Sequence, residues 1–325
     1  IVLPTRELAI QVDEVLQKLG RPLGLVTAVL IGGESMGRQI MDLQRRPNII
    51  IGTPGRLMDH INRVSLRLNT VKIIVLDEAD RMLDIGFEPQ IRKMFTLVPA
   101  QRQVMLFSAT MPSQITNIAA TYMSSPVRVE VAPAGTAAEL VDQEIYLVKK
   151  EDRITLLEKI LAENPGSVLL FLRTRHGAHR ICAALRQMGH KAAEMHSDRS
   201  LGQRKEALAG FKSGNYRILV ATDIAARGID VRGIKTVINF ELPDDAGDYV
   251  HRIGRTGRAG EPGRAISFAM PDQRRDVRDI EKLIRKEIPM KSHGNETFIV
   301  ERPSIRSFGP NRHLRRTPSR WRRSR

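Results

Sequence analysis

The 325-residue sequence is poor in cysteine, in aromatic side chains and in long apolar stretches. Its only cysteine, Cys182, excludes an intramolecular disulfide framework and is typical of a reducing compartment such as the cytoplasm. Aromatic residues make up 4% of the chain, which argues against nucleic-acid recognition by base stacking. No apolar run approaches the roughly 18 residues that a membrane-spanning helix needs. The sequence therefore predicts no integral membrane protein and no membrane partner.

A metal site is only weakly indicated. His176, His179 and Cys182 follow one another at three-residue intervals, a spacing that could suggest metal ligands. No fourth ligand type lies nearby in the sequence, whereas a structural zinc ion needs four. We favour the alternative, in which Cys182 is a small buried side chain in a helix.

The net charge of +16 predicts a polyanionic partner, because Lys and Arg side chains bind phosphates and release counterions. With few aromatic residues, contacts to a sugar-phosphate backbone should dominate over contacts to bases. More than half of the charge lies in residues 302–325, which contain nine arginines and no acidic residue. We predict that this tail is disordered and adds sequence-independent affinity for the partner. A solvated tail without contacts is the alternative.

Short apolar runs alternate with helical patterns as far as about residue 290. Apolar strands separated by helices are typical of a parallel sheet covered by helices, so the predicted class is α/β. The predicted strands include residues 1–3, 48–51, 73–76, 104–107, 167–172, 218–221, 237–240 and 265–269. The predicted helices include residues 7–19, 89–97, 153–163, 177–188 and 203–212.

A segment of small residues without periodicity, around residues 132–138, indicates a linker between two α/β domains. The predicted boundaries are 1–132 for the first domain, 133–140 for the linker, 141–290 for the second domain and 291–325 for the tail. The chain starts with a strand pattern and without an initiator methionine. We therefore expect that the sequence begins inside a longer protein.

Five predicted strands run into a threonine at or just after their carboxyl end. These are Thr5, Thr53, Thr110, Thr174 and Thr222. A threonine N-cap followed closely by proline, as occurs at two of these sites, is typical of a helix start. Helix N-termini at the carboxyl edge of a parallel sheet bind anions. Ordinary capping explains any single site, but five sites on one edge of a basic protein favour a phosphate-lined cleft.

Two adjacent carboxylates follow a buried strand, at Asp77 and Glu78. In nucleotide hydrolases an aspartate at this position holds Mg²⁺, and a neighbouring glutamate can act as general base on water. An acidic helix N-terminus, stabilised by the helix dipole, is the alternative.

A glycine-rich segment in the second half, residues 251–258, carries Arg255 and Arg258 three positions apart. Guanidinium groups in such a turn can stabilise the charge of a transferring phosphoryl group. A solvated basic loop or an RNA-phosphate patch is the alternative. Together with the two carboxylates, the arginines indicate a site that is assembled when the two domains close.

Residues 77–80 read Asp-Glu-Ala-Asp, the string that gives the DEAD-box helicase family its name. Other motifs of that family occur in family order at residues 4–9, 32–33, 53–56, 108–110, 221–223, 227–230 and 251–258. Residues 1 to about 290 therefore resemble a DEAD-box RNA helicase of superfamily 2. Two strings, at 225–230 and 254–260, are most similar to bacterial members of the RhlE type.

The resemblance implies two RecA-like domains, the first of them incomplete, and an ATPase that uses ATP and Mg²⁺ to open short RNA duplexes. Asp77 would hold Mg²⁺ through water, and Glu78 would act on the attacking water. Arg255 and Arg258 would be arginine fingers, and Asp230 would contact the ATP ribose.

The resemblance also implies residues that couple hydrolysis to domain closure and residues that hold RNA. The coupling residues would be Asp80, Ser108, Thr110 and His251. The residues at the RNA backbone would be Thr5, Arg6, Gly33, Thr53, Gly55, Arg56, Thr222 and Gly228, with Arg204 at RNA or between the domains. Single-stranded RNA or a short duplex is the implied partner, and ribosomal or RNA-decay proteins are further candidates.

The sequence departs from the family in two places. It contains no G-x-x-x-x-G-K-[ST] phosphate loop, which in the family lies upstream of Pro4 together with an adenine-reading glutamine motif. We expect neighbouring strands to expose unpaired edges, and the chain as written to hydrolyse ATP negligibly. Ser197 and Leu201 also stand where the family usually has glycine and glutamine, and Leu201 cannot donate a hydrogen bond.

Two other functions remain open at this point. The first is a non-catalytic RNA-binding fragment, in which the second domain and the basic tail do the binding. The second is a DNA helicase of the same superfamily, which RNA and DNA stimulation of ATP hydrolysis would discriminate from an RNA helicase.

Overall fold

The structure is a computed structural model that describes residues 1–130, 141–226, 231, 233–257 and 261–292. We call residues 1–130 the N-terminal lobe and residues 141–292 the C-terminal lobe; both belong to one compact unit. Every strand pairing in the described part is parallel. The predicted α/β class is therefore confirmed. The predicted linker 133–140 and residues 293–325 of the predicted tail lie outside the described residues.

The N-terminal lobe alternates helices with short strands. Its strands are β1 (Thr27–Leu30), β2 (Ile49–Gly52), β3 (Ile73–Leu76) and β4 (Gln103–Leu106). Its helices are α1 (Arg6–Gly20), α2 (Met36–Gln44), α3 (Pro54–Asn62), α4 (Ala79–Asp84), α5 (Glu88–Phe95) and α6 (Ser113–Tyr122), with a short 3₁₀ turn at Arg21–Leu23.

Two strand pairs, β1–β2 and β3–β4, are joined by the start of the chain. Val2 forms parallel bridges to Gly52 on one side and to Leu76 on the other. The strand predicted over residues 1–3 is thus reduced to isolated bridges. On its far side, β4 has no partner strand among the described residues. Met105 and Phe107, in and just after β4, are 38% and 49% exposed.

The C-terminal lobe has a single sheet of seven strands, in the order β11-β5-β10-β9-β6-β8-β7. The strands are β5 (Val141–Leu147), β6 (Val168–Leu172), β7 (Ala192–Met195), β8 (Ile218–Thr222), β9 (Thr236–Asn239), β10 (Gly263–Ala269) and β11 (Met290–Ser292). The helices are α7 (Arg153–Glu163), α8 (Arg175–Gln187), α9 (Leu201–Lys212), α10 (Asp223–Ala226), α11 (Ala246–Ile253) and α12 (Arg274–Ile284), with a 3₁₀ turn at Lys150–Asp152. Strand β11 extends two residues into the segment predicted as tail.

The core of the C-terminal lobe lies on both faces of this sheet. Every residue of β6, β8 and β9 is buried. Alternate residues of these strands belong to separate apolar clusters, because helices cover the sheet from both sides. Cys182 lies in one of these clusters, fully buried, as predicted for a small buried side chain.

Within the described residues, no group of three or more His, Cys, Asp or Glu side chains could hold a metal ion. In the same part of the chain, no helix is both long enough and apolar enough to cross a membrane.

Candidate functional site

The five threonines at the carboxyl edges of the sheets differ in whether they cap a helix. Thr5 and Thr174 are the N-caps of α1 and α8, and each hydroxyl accepts a backbone N–H three residues on. Thr53 is the N-cap of α3 without a side-chain bond, and Thr222 ends β8 directly before α10. Thr110 is not a cap, because α6 starts later, at Ser113. Its hydroxyl has a different partner, described below.

Asp77 and Glu78 lie at the carboxyl end of β3. The Asp77 N–H donates to the Val2 carbonyl at 3.1 Å, and Asp77 Oδ1 accepts the Glu78 N–H at 2.9 Å. Glu78 has a φ of 49°, in the left-handed region that non-glycine residues seldom adopt. It makes no side-chain capping bond to α4. Glu78 thus starts α4 without a capping bond, and stabilisation by the helix dipole stays open for it.

The pKa of the Asp77 carboxyl is raised, first by burial and then by the charge of Asp80, although the Glu78 N–H opposes the shift. A carboxylate that is partly desolvated beside a second carboxylate is stabilised by a cation. A cation at Asp77 would take its other ligands from water and phosphate. Mg²⁺ prefers this kind of environment, so the residues present fit Mg²⁺ bound with a nucleotide.

The buried Asp80 is the centre of a partly buried hydrogen-bond network. Its Oδ2 accepts bonds from the Thr110 N–H and from Thr110 Oγ1, both at 2.8 Å. The Asp80 N–H donates to Ser108 Oγ at 3.3 Å, and this hydroxyl donates to the Thr110 carbonyl at 2.6 Å. The network ties the segment after β3 to the segment after β4. Three of the four predicted coupling residues are therefore in direct contact.

The fourth predicted coupling residue comes from the other lobe. His251 Nε2 lies 4.0 Å from Asp80 Oδ2, and both side chains are largely buried. Arg255, four residues on, donates from Nε to the His251 carbonyl at 3.1 Å. The structure thus brings His251 of α11 close to Asp80 of the N-terminal lobe. Arg258, Asp230 and Gly228 lie outside the described residues.

Arg252 is a residue of this junction to which the sequence analysis assigned no role. Its side chain is 1% exposed and donates to both Asp223 carboxylate oxygens, at 2.5 and 2.7 Å. It also donates to Asn239 Oδ1 and to the Glu241 carbonyl, and it lies over the Phe171 ring. Its place beside His251 in a predicted motif was the only signal in the sequence.

Arg81 directly follows the Asp-Glu-Ala-Asp string, and the sequence analysis assigned no role to this residue either. Its side chain is buried, and neither Nε nor Nη2 has a hydrogen-bond partner within the described residues. Burial lowers the pKa of Arg81, while the charges of Asp84, Asp223 and Glu78 oppose that shift. Because Asp223 belongs to the C-terminal lobe, the charges that act on the pKa of Arg81 come from both lobes.

Several residues predicted to hold RNA cluster on the N-terminal lobe. Arg6 passes over the two glycines of residues 32–33, and a Cβ at Gly33 would lie 2.7 Å from Arg6 Nη1. Gly33 also has a φ of +81°, so both the lack of space for a side chain and the backbone conformation require glycine here. A Cβ at Gly55 would meet nothing within 4 Å, which leaves this helix start open to a ligand.

Arg56 is held by a buried network behind this surface. Its Nη1 donates to the Glu34 carbonyl and to Gln39 Oε1, both at 3.1 Å. The same amide oxygen lies 3.0 Å from His60 Nε2, which must carry a proton because an amide oxygen only accepts. Sequence reasoning missed Gln39 and His60, since buried polar partners have no local pattern.

Arg204 pairs across the two lobes. Its Nη1 lies 3.0 Å from Glu7 Oε1, and both side chains are buried. Burial lowers the pKa of Arg204, and the charge of Glu7 opposes that shift. Of the two contacts predicted for this arginine, the structure shows the interdomain one.

Comparison with known proteins agrees with this geometry. Residues 1–118 match the model of the DEAD/DEAH box helicase family, and residues 152–260 match the helicase conserved C-terminal domain. A DEAD-box protein from Methanococcus jannaschii is 38% identical, with 89% of this chain and 78% of that chain covered and a TM-score of 0.51. The chain belongs to the DEAD-box helicase family.

Two further DEAD-box relatives are informative. The helicase CshA of Bacillus subtilis is 43% identical over 291 residues, which cover 89% of this chain and 58% of that protein. The chain thus spans less than two thirds of the length of this curated relative. Saccharomyces cerevisiae Dbp5 bound to RNA and ADP BeF3 is 29% identical, with 90% and 76% of the chains covered and a TM-score of 0.81. The fold of two RecA-like domains is confirmed, while the RhlE subdivision stays a prediction.

Proposed function

We propose that this protein, in its full-length form, is an ATP-dependent RNA helicase that couples ATP hydrolysis to RNA binding and local duplex unwinding or remodelling of RNA–protein complexes. The observation that carries the proposal is the junction of Asp80, Ser108, Thr110 and His251. It links the two strand ends of one lobe to the arginine-bearing segment of the other. A structural change at the carboxylates of the N-terminal lobe would therefore shift the arginine-bearing segment of the C-terminal lobe.

Each residue at the cleft has a proposed task. Bound ATP and Mg²⁺ would supply the phosphoryl group and neutralise part of its charge. Asp77 would hold the ion through water, and Glu78 would accept a proton from the attacking water. Arg255 and Arg258 would stabilise negative charge at the phosphoryl group, and Asp230 would bind the ribose. The raised pKa of Asp77 supports a cation at this carboxylate.

RNA would lie along the carboxyl edges of the two sheets. Thr5, Arg6, Gly33, Thr53, Gly55, Arg56, Thr222 and Gly228 would hold its backbone, with Arg204 between the lobes. We keep 1–132 and 141–290 as the proposed domains, joined by 133–140. The similarity to Dbp5 bound to RNA and ADP BeF3 supports RNA as the partner. A cytoplasmic location and ribosomal or RNA-decay partners complete the proposal.

The 325-residue polypeptide by itself is proposed to hydrolyse ATP negligibly. Its sequence contains no phosphate loop to cradle the β- and γ-phosphates. Among the described residues no strand pairs with the far edge of β4, and Met105 and Phe107 are exposed there, which supports the proposal that this lobe lacks a neighbouring strand.

ATP turnover with and without single-stranded RNA tests both parts of the proposal. The assay compares the 325-residue chain with a version in which a phosphate-loop segment precedes Ile1. We expect RNA-stimulated hydrolysis in the extended version alone, and its loss in the Glu78→Gln variant. Hydrolysis by the short chain that Glu78→Gln abolishes would contradict the claim of inactivity. Stimulation by DNA as strong as by RNA would point to a DNA helicase.

A non-catalytic RNA-binding role is the second candidate, favoured for this chain by the missing phosphate loop and by the seven-stranded sheet that the described residues of the C-terminal lobe form. RNA binding without nucleotide, measured over a range of salt concentrations, tests it. We expect that deleting residues 302–325 flattens the salt dependence by roughly one counterion per phosphate contact. An unchanged slope would exclude the tail from RNA binding. Absence of turnover in both versions of the chain would favour this second role.

A further inference from the structure

A buried histidine lies directly behind the surface proposed to hold RNA. His60, in the last turn of α3, is fully buried, and its imidazole ring can gain or lose a proton near neutral pH. Both ring nitrogens have hydrogen-bond partners. Nδ1 lies 2.8 Å from Ser65 Oγ, and Nε2 lies 3.0 Å from Gln39 Oε1. The function proposed above gives no role to this histidine.

Gln39 connects the histidine to two features of that surface. Its Oε1 also accepts a bond from Arg56 Nη1 at 3.1 Å, and its Nε2 donates to the Ile31 carbonyl at 2.9 Å. Ile31 directly precedes the glycine turn at residues 32–33. These bonds fix the orientation of the amide group, because its oxygen faces a donor and its nitrogen faces an acceptor. We call the side chains of His60, Gln39 and Arg56 the α3 relay.

Arg56 is the end of the α3 relay that a phosphate can reach. Its Nη1 is occupied by Gln39 and by the Glu34 carbonyl, and its Nε lies 3.7 Å from the exposed Asp59. Within the described residues, its Nη2 makes no hydrogen bond and is not shut off from solvent. The adjacent Gly55 leaves open space at the same helix start. A guanidinium group that is held at one edge and open at the other can bind phosphate oxygens.

Ser65 allows the buried ring to exist with or without a second proton. Its hydroxyl is within hydrogen-bond distance of His60 Nδ1, at 2.8 Å, and of the His60 carbonyl, at 3.1 Å. When Nδ1 carries no proton, the hydroxyl donates to it. When Nδ1 is protonated, it donates to the hydroxyl oxygen, and the hydroxyl turns to the carbonyl. Because Ser65 is half-buried, it also connects the ring to solvent.

The charged groups that act on His60 lie on α3 and at its end. Burial lowers the pKa of His60 most, and the charge of Arg56 lowers it further. Asp59 opposes this shift, and Arg63 adds to it. The charged side chains of α2, of α5 and of residues 64–70 are exposed or half-buried and are not among the charges that shift this pKa: Arg38, Asp42, Arg67, Glu88, Arg92 and Lys93. Arg56 is therefore the main charged group at the ring.

The charge of Arg56 opposes a second positive charge on the ring. The two bonds to Gln39 Oε1 measure 3.1 and 3.0 Å, so Arg56 Nη1 and His60 Nε2 are no more than about 6 Å apart. A phosphate bound at Arg56 neutralises this charge and removes the opposition. Because coupling between two sites is reciprocal, a proton on His60 must strengthen phosphate binding by the same factor.

We propose that His60 is a positioning residue for RNA: its ring orients Arg56 through Gln39, and a backbone phosphate that binds Arg56 promotes uptake of a proton from solvent at His60 Nδ1. The proposal rests on the proposed function, in which Arg56 holds the RNA backbone, and it adds a dependence of RNA affinity on pH. The pKa of His60 is higher in the RNA complex than in the free protein. RNA binding therefore strengthens as the pH falls.

The coupling within the α3 relay is measured first, without RNA. The full chain carries isotope-labelled histidine, and the pKa of His60 is determined by an NMR titration, with its signals assigned from the His60→Gln variant. Arg56→Met removes the charge next to the ring and should raise this pKa. Arg67→Met removes an exposed arginine of the same lobe and should leave the pKa unchanged. An unchanged pKa in Arg56→Met would overturn the coupling.

The coupling to RNA is measured with a single-stranded oligouridylate that carries a pH-insensitive dye. Its affinity for the full chain is recorded by fluorescence anisotropy at constant ionic strength, between about pH 8 and about pH 5.5. We expect His60 to increase the affinity about threefold over this range, the factor that two charges roughly 6 Å apart give at a dielectric constant near that of water. His60→Gln and Ser65→Ala should lack this increase. His176→Gln, which removes an exposed histidine, should keep it.

The pattern of affinities separates a proton-coupled role of His60 from a purely structural one. If His60→Gln binds more weakly at every pH but keeps the pH dependence of the parent, the role of His60 is overturned and the proposed helicase function stands. If the parent chain binds no RNA at any pH, the proposed RNA contacts fail, and the coupling to RNA fails with them. If His60→Gln does not fold, Ser65→Ala supplies both the assignment and the comparison of affinities.

Discussion

Strand β3 of the N-terminal lobe and strand β6 of the C-terminal lobe are equally apolar in sequence, but they differ in burial. In the C-terminal lobe, β6 lies between two partner strands and is buried at each of its five positions. In the N-terminal lobe, β3 is just as apolar in sequence, but its burial varies along the strand and Ile73 is 55% exposed. The difference shows that partners and covering helices, as much as the strand sequence, decide whether a strand becomes core.

The largest expected effect comes from separating the lobes. Residues 141–292, produced alone, should be monomeric and unfold cooperatively, because their seven described strands form one hydrogen-bonded sheet with helices on both faces. Residues 1–130 alone should aggregate, because within this described range no strand pairs with the far edge of β4 and apolar side chains are exposed beside it. Size-exclusion chromatography and thermal circular dichroism measure both outcomes. A monomeric residue 1–130 fragment with a cooperative transition would remove the contrast between the lobes.

The next effect concerns a buried charge in the complete lobe. Arg252→Met should lower the free energy of unfolding of the C-terminal lobe by about 3–5 kcal/mol, because Asp223 is left without its partner. Denaturant unfolding of the full chain measures the loss. Arg92→Met, which removes an exposed pair with Glu88, is the matched control and should leave the midpoint unchanged. Equal midpoints for the two variants would contradict the structural importance of Arg252.

A smaller effect is expected at the free edge. Met105→Lys places a charge on the exposed side of β4 and should reduce aggregation, with a change in stability within about 0.5 kcal/mol. Light scattering during heating and denaturant unfolding measure the two quantities. Ile74→Lys introduces the same charge at a buried position of β3 and should unfold the N-terminal lobe. If Met105→Lys also unfolds the N-terminal lobe, the Met105 side chain of β4 is not exposed to solvent in solution.

The smallest effect is a difference in acid sensitivity between the lobes. Burial, and then the charge of Arg56, lowers the pKa of His60 from its ordinary value of 6.5. The folded N-terminal lobe resists a proton that the unfolded chain accepts, so His60 costs stability as the pH falls below 6.5 towards the folded pKa. The variant His60→Gln should remove this loss, as measured by denaturant unfolding at several pH values.

The C-terminal lobe should respond at lower pH. Burial would raise the pKa of Glu194, but bonds from His196 and His179 and the charge of Arg199 hold it below its ordinary value of 4.5. The stability contributed by Glu194 is therefore present above pH 4.5 and is lost as the pH falls through the folded pKa. Glu194→Gln should remove that dependence. Loss of both lobes in one step near pH 6 would contradict the comparison.

The sequence predicted those parts of the fold that depend on local pattern. The helix predicted over residues 153–163 matches α7 to the residue, and the strand over residues 73–76 matches β3. The helix starts at Thr5 and Thr174 follow from capping chemistry, which involves only the next three residues. The prediction that Asp80 and Thr110 act together rested on the family resemblance, because no local pattern joins residues 30 positions apart.

What the sequence did not predict depends on distant partners. Strands β5 and β7 contain polar residues, Gln143 and Glu194, that are buried only because Tyr249 and two histidines bind them. Thr110 has no capping role because α6 starts only at Ser113, and its hydroxyl is bonded instead to the distant Asp80. The burial of Leu201 requires a core from the other lobe, and no pattern within α9 indicates that.

The bridges formed by Val2 have a mechanical consequence. The start of the chain runs parallel to its two neighbours and is bonded to both, with Val2 N–H donating to Val75 and Leu3 N–H donating to Gly52. A pulling force at Ile1 would load these bonds in shear, the direction in which several must break together. The Asp77 N–H is bonded to the Val2 carbonyl, so part of that tension reaches Asp77 through a single peptide unit. The strand bridges at the start of the chain therefore help to position the carboxylate that is proposed to hold the metal ion.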